Sequence, residues 1–196
     1  EFPEKVIEEA KSLKQEIAKK DIPNRLDLRE KEIFTIDGED AKDLDDAVAV
    51  EKLENGNYLL NVSIADVSYY VKENSLLDRE AMLRGTSIYM LDRVIPMLPK
   101  ELSNGICSLN QGEDRFAITV LMEIDTHGKV ISSDVKKSMI HVTRRMSYKE
   151  VQAILNTIEP KNCPEKLKND SLSENQYEPK TNATEILPKK QKEKLL

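Results

Sequence analysis

Apolar positions recur along the chain in two rhythms, and the alternation between them predicts a mixed fold. Residues 3–20 open with Pro and then space Val6, Ile7, Ala10, Leu13 and Ile17 about a helical turn apart with charges between them, which predicts an amphipathic helix. Short β-prone runs follow at Ile33–Ile36, Ala47–Val50 and Tyr58–Val67, the last entered through the turn-forming Asn55-Gly56-Asn57, and they predict neighbouring strands. Leu76–Leu83 returns to helical spacing, with Gly85 placed to stop it. Arg115–Asp125 and Val130–Ile140 form two further strand-like runs, joined as a hairpin around His127-Gly128. A helix from Tyr148 to Ile158 closes the ordered part, with Ser147 as its cap and Glu150 three residues later. The expected class is α/β (α+β), a mixed β-sheet with flanking helices, whose strand directions the pattern leaves open.

After Glu159 the rhythm is lost. Pro160, Pro164, Pro179 and Pro188 lie scattered among Asn, Ser, Lys and Glu with few large apolar residues, so 1–159 is expected to fold and 160–196 to be a disordered or truncated tail. At 196 residues, 39% hydrophobic and 34% charged, the chain has room for one real core plus such a tail. No apolar run approaches the roughly 20 residues that a membrane helix needs, and the first residues are polar, which gives the expectation of a cytoplasmic protein without a membrane partner. In that compartment Cys107 and Cys163 are expected as free thiols. A net charge of −6 argues against nucleic-acid binding by a general basic surface. The one basic cluster, Lys136, Lys137, His141, Arg144, Arg145 and Lys149, reads as a solvated face.

The segment that changes this picture is acidic. Six of the ten residues from Asp37 to Asp46 carry carboxylates, with Lys42 the only base. Two bare carboxylates about 4 Å apart repel by roughly 1 kcal/mol in water and about 4 kcal/mol at an effective dielectric of 20, so packing several beside strands needs either open solvent or a cation. Carboxylates are hard oxygen ligands that suit Mg2+ or Mn2+, and two such ions about 3.5–4 Å apart serve phosphodiester hydrolysis. Asp37 at the end of one predicted strand and Asp43, Asp45 and Asp46 at the entry to the next could converge on such a pair, with Gly38 allowing a sharp turn between them. An EF-hand fails, because no Gly at the sixth position is joined by a Glu at the twelfth. A solvated acidic loop and a metal site both remain open on this pattern.

Four blocks in order carry a resemblance. Asp27-Leu28-Arg29 is followed by Phe34-Thr35-Ile36-Asp37-Gly38-Glu39-Asp40-Ala41-Lys42-Asp43-Leu44-Asp45-Asp46-Ala47, then Ile64-Ala65-Asp66-Val67-Ser68-Tyr69-Tyr70-Val71. Leu77-Asp78-Arg79-Glu80-Ala81 precedes Arg84-Gly85-Thr86-Ser87-Ile88-Tyr89, and Val94–Pro99 precedes Leu102-Ser103-Asn104-Gly105-Ile106-Cys107-Ser108-Leu109-Asn110. This series resembles the first part of the catalytic domain of the ribonuclease R/ribonuclease II (RNB) family from about residue 2 to residue 156.

The resemblance implies a processive, hydrolytic 3′-to-5′ exoribonuclease that releases nucleoside 5′-monophosphates from single-stranded RNA, with Mg2+, or Mn2+ in its place, at the active site. By the same resemblance Asp37, Asp43, Asp45 and Asp46 fall on the family's four active-site aspartates. Asp45 falls on the one tied most closely to the chemical step, and Asp37 and Asp46 on direct metal ligands. Tyr89 falls on a tyrosine that stacks near the terminal nucleotides and helps to set the length of the end product. Arg84 and Arg93 are candidates for phosphate contacts, and Asp66 for a structural hydrogen bond. The family's domain is longer than this chain and supplies an arginine and further acidic and aromatic residues from its later half. The chain is therefore expected to be an incomplete RNB-type catalytic domain, weakly active or inactive alone, with no protein partner evident. The alternatives are a non-catalytic RNA-binding relative, which would not need all four aspartates, and an acidic cation-binding module.

Overall fold

A computed structural model of the chain describes residues 1–13, 17 and 19–157. The chain divides into two compact units, Glu1–Arg145 and Met146–Leu196. In the order of the chain the strands are β1 (Leu26–Asp27), β2 (Ile33–Asp37), β3 (Asp46–Lys52), β4 (Tyr58–Ala65), β5 (Ile88–Tyr89), β6 (Val94–Ile95), β7 (Asp114–Ile124) and β8 (Val130–Ser147). The helices are α1 (Glu4–Ser12), α2 (Val67–Tyr70), α3 (Leu76–Arg84) and α4 (Tyr148–Leu155), with a 3-10 helix at Lys19–Asn24 and a wide helical turn at Glu101–Ile106.

The main sheet runs β1-β8-β2-β3-β4-β7, and β7 also pairs with β8, so the pairings β2-β3-β4-β7-β8 close on themselves. Length makes the closure possible. The 18 residues of β8 are enough to pair with β7, from Asp114↔His141 to Ile124↔Val130, with β1, in parallel at Ser138 and Met139, and with β2. The β7–β8 hairpin is set by Asp125, whose Oδ1 accepts from the backbone N–H of His127 and Lys129 while Gly128 takes φ 82°. The remaining neighbours β2–β3, β3–β4 and β4–β7 are antiparallel. The two-stranded sheet β5–β6 stands apart.

Alternation along the strands separates two cores. Phe116 and Met139 join Val6 and Ala10 of α1, Leu77 of α3 and Leu102, Ile106 and Cys107 in one cluster, under the helices. Their neighbours Ala117 and Ile140 point the other way, to a cluster with Ile33, Ala47, Ala49 and Ala65, whose many alanines suit the narrow inside of a ring of few strands. Ser63, Thr119 and Ser138 link by buried hydroxyl bonds of 2.7 and 2.6 Å across β4, β7 and β8.

A mixed sheet with flanking helices is thus the architecture, with local departures. The helix predicted over 3–20 stops at Ser12, where Leu13 turns extended; Leu13, Ile17 and Ile22 then pack against the first cluster, so tertiary burial overrides the helical spacing. The strand predicted to Val67 ends at Ala65 because Asp66 begins α2. The strand predicted to Ile140 runs on to Ser147. In α4 the Ser147 Oγ accepts from the Glu150 N–H and Glu150 returns the bond to the Ser147 N–H, as the spacing predicts. Cys107 is free and buried, and burial pushes its thiol up to about 12. Cys163 and the expected tail at 160–196 lie outside the described residues. No described helix is long and apolar enough to cross a membrane.

Candidate active site

Three anchors hold the acidic segment between β2 and β3. At its start, the backbone turns from Asp37 through a bond of 3.1 Å from the Ala41 N–H to the Gly38 carbonyl. Arg145, late in β8, donates to the carbonyls of Gly38 at 3.1 Å and Glu39 at 2.7 Å. In the middle, Leu44 is buried and its N–H donates to the fully buried Ser108 Oγ at 3.1 Å, while Ser108 donates onward to the Lys42 carbonyl at 2.9 Å. The Leu44 carbonyl accepts from the Leu109 N–H at 2.8 Å. At its end, the Asp45 carbonyl accepts from the Ala65 N–H at 3.0 Å as Asp46 starts β3 opposite Ile64. Gly38 does not take a left-handed φ, and a Cβ there would meet nothing within 4 Å, so the expected need for glycine at this turn is corrected.

With the backbone fixed, the carboxylates lie near enough for the charges of Asp43 and Asp46 to act on Asp37 and Asp45. Asp37 continues the alternation of Ile33 and Thr35 on β2, both of them buried. Its carboxyl is raised above the usual carboxylate range, first by burial and then by the charges of Asp46 and Asp43, with Arg145 opposing. Asp45 is raised too, by burial and then by Asp43, Asp46 and Asp37. The Asp37 Oδ2 atom is buried and has no hydrogen-bond partner. Such an atom in an all-oxygen acidic environment fits a hard divalent cation, which would relieve both burial and repulsion. Among the described residues no group of three or more His, Cys, Asp and Glu side chains is yet drawn together tightly enough to hold a metal ion, so a cation would have to gather these carboxylates.

Tyr89 of β5 reaches the same place. The residue is 65% exposed and its hydroxyl donates to Asp43 Oδ2, a bond that, with some burial, pushes the phenol up to about 12. The candidate arginines lie elsewhere. Arg84 pairs with Glu80 at 2.9 Å, donates to the carbonyls of Pro96 and Glu1 and covers the Phe2 ring at 3.6 Å, so its guanidinium serves the protein itself. Arg93 is exposed, 4.0 Å from Asp92. Asp66 forms an ion pair of 2.6 Å with Arg25 and accepts from the Ser68 hydroxyl. The basic cluster at 136–149 is not one solvated face: Lys136 pairs with Asp134, His141 with Asp114, and Arg145 grips the acidic turn. Sequence reasoning missed Arg145, whose contact spans 107 positions without a local signal, and gave Ser108 no role although it lies in a quoted block.

A match to the RNB domain runs over residues 25–194. The chain belongs to the RNB family. Ribonuclease R of Thermotoga maritima is 60% identical over 155 residues, which is 79% of this chain and 22% of that protein. The RNB chain thus spans about a fifth of that relative's length. Mycoplasma genitalium RNase R, solved in complex with ribose methylated single-stranded RNA, superposes with a TM-score of 0.76 at 34% identity over 86% of this chain and 26% of that one. Yeast Ssd1, a pseudonuclease, shares the fold with a TM-score of 0.66 at 22% identity over 74% of this chain and 18% of that one.

Proposed function

We propose that this stretch carries the acidic centre of a processive, hydrolytic 3′-to-5′ exoribonuclease acting on single-stranded RNA. The observation that carries the reading is the buried, unpartnered oxygen of Asp37, whose proton affinity burial and the nearby charges of Asp46 and Asp43 raise. A stable fold tolerates such a group poorly unless a ligand completes it. Asp37 and Asp46 would hold one or two Mg2+ or Mn2+ ions, with Asp43 contributing. A bound pair would supply a hydroxide at neutral pH and hold the charge that develops on the leaving oxygen.

The chain's own residues supply the rest. Arg145 and Ser108 keep the backbone of the acidic turn in place, so a cation has only the carboxylate side chains left to gather. Asp45, whose raised proton affinity suits a group that handles a proton, is the residue closest to the chemical step. The exposed Tyr89 ring gives a base a stacking surface worth roughly 1–3 kcal/mol without reading its identity, as an enzyme indifferent to sequence requires. The pseudonuclease of the same fold is a reminder that fold alone does not confer activity, and the four aspartates favour the catalytic reading over an RNA-binding relative.

Titration calorimetry with Mn2+ tests the site: the chain binds Mn2+, and Asp37→Asn/Asp46→Asn does not. Equal binding by the two proteins defeats the reading. In the longer enzyme Asp45→Asn abolishes hydrolysis with RNA affinity nearly unchanged, and turnover above about a tenth of wild type, under roughly 1.4 kcal/mol of barrier, would remove Asp45 from the chemical step. The 196 residues alone give little processive degradation of a 5′-labelled single-stranded RNA, since a substrate channel needs walls beyond the acidic centre.

A further inference from the structure

The hydroxyl of Tyr89 has a use that base stacking does not explain. Stacking needs only the ring, and the residue is exposed enough for water to satisfy its hydroxyl. Instead the hydroxyl donates to Asp43, from a position 46 residues further along the chain. Among the described residues no other side chain donates a hydrogen bond to the Asp43 carboxylate. Asp43 also needs a tether, because its charge bears on both Asp37 and Asp45, and like charges drive an unrestrained side chain apart. The hairpin that carries Tyr89 is itself held, by pairing of Tyr89 with Val94, by the Met90 N–H on the Arg93 carbonyl at 2.8 Å, and by the Met97 N–H on Ser87 Oγ at 2.9 Å.

We infer that Tyr89 is a positioning residue for Asp43: its hydroxyl holds one carboxylate oxygen so that the carboxylate stays oriented for the cation, while its ring remains free for the RNA end. One side chain then links nucleotide binding to metal binding. The inference rests on the metal-binding reading of the acidic centre. A hydrogen bond from outside to a ligating carboxylate fixes its orientation, and loss of such a partner typically weakens metal binding roughly 10- to 100-fold.

Replacing the hydroxyl while keeping the ring separates the two uses. Mn2+ binding to the 196-residue chain is measured by calorimetry for the wild type, Tyr89→Phe, Tyr58→Phe and Asp37→Asn/Asp46→Asn. The expected result is that Tyr89→Phe weakens Mn2+ binding about tenfold with the thermal midpoint unchanged, whereas Tyr58→Phe, an exposed tyrosine on β4 beside Lys52, binds as the wild type does. In the longer enzyme Tyr89→Phe raises the Mg2+ concentration needed for half-maximal hydrolysis, saturating Mg2+ restores the rate, and the length of the end product does not change. Mn2+ affinity in Tyr89→Phe that equals or exceeds that of the wild type, while the double Asn variant stays weak, overturns this inference and leaves the metal site standing. Equal binding by the wild type and the double Asn variant instead fails the metal site, and this inference with it.

Discussion

Asp66 and Asp37 both stand where a strand of the main sheet ends, yet the fold treats their charges in opposite ways. Asp66 is given a cation: Arg25 lies 2.6 Å away with the two side chains 1% and 5% exposed, and the guanidinium also covers the Phe116 ring at 4.0 Å and donates to the carbonyls of Ala117 and Ser138. Asp37 is given none directly. The nearby Arg145 spends its donors on backbone carbonyls, and one Asp37 oxygen stays buried and unpartnered among like charges. The Asp66 charge is satisfied within the fold, whereas that of Asp37 is left in deficit. That difference predicts opposite responses to neutralisation.

The largest effect falls on the satisfied site. Arg25→Met strands a buried charge, and breaking such a pair costs about 3–5 kcal/mol, read as a lower urea midpoint. A loss under about 1 kcal/mol would make this ion pair no more structural than an exposed one. At the unsatisfied site the sign reverses: Asp37→Asn raises the stability of the metal-free chain by up to about 1 kcal/mol, because it removes repulsion without losing a partner. The same logic fixes the pH response. Asp37 and Asp45 have folded-state pKa values above their ordinary ones, so their contribution is fully present below the unfolded value near about 4 and is lost as pH rises through the raised folded values. As pH is raised from about 4, the metal-free wild type therefore loses more thermal stability, or gains less, than Asp37→Asn/Asp45→Asn does, and identical slopes in the two would show that the two carboxyls are not in deficit. The smallest effect is at the turn between them. Gly38→Ala changes stability by no more than about 0.5 kcal/mol, since neither φ nor space demands glycine there, and a larger loss in the denaturation midpoint would mean that the acidic turn is tighter than its backbone suggests.

What the sequence made legible follows from the range of the forces involved. Strands β2, β3, β4 and β7 and the cap of α4 are local patterns, and period-2 alternation or a Ser-x-x-Glu box carries them. The four aspartates were legible as a group because an acidic run is visible in any window, and their family placement needed only ordered blocks. Closure of the sheet was not legible, since the far half of β8 has no pattern that names β2 as its partner. The same holds for Arg145 on the acidic turn and for Tyr89 on Asp43, contacts made across 107 and 46 positions by residues whose local surroundings read as an ordinary strand. The end of α1 was misread because the spacing of Leu13 and Ile17 suits both a longer helix and a chain that folds back on the same apolar cluster.

The length of β8 also sets a schedule for synthesis. The arginine that grips the acidic turn and the threonine at position 143 that accepts from the Ile33 N–H are made more than a hundred residues after their partners. Until then the nascent chain carries four crowded aspartates on an unpinned loop and a sheet whose β2 edge lacks its β8 partner. Pairings this distant are slow to form and expose strand edges while they wait. A translational pause before β8 emerges would therefore prolong a sticky intermediate, and the last strand of the ring, made after the acidic turn it pins, decides when that turn takes its final shape.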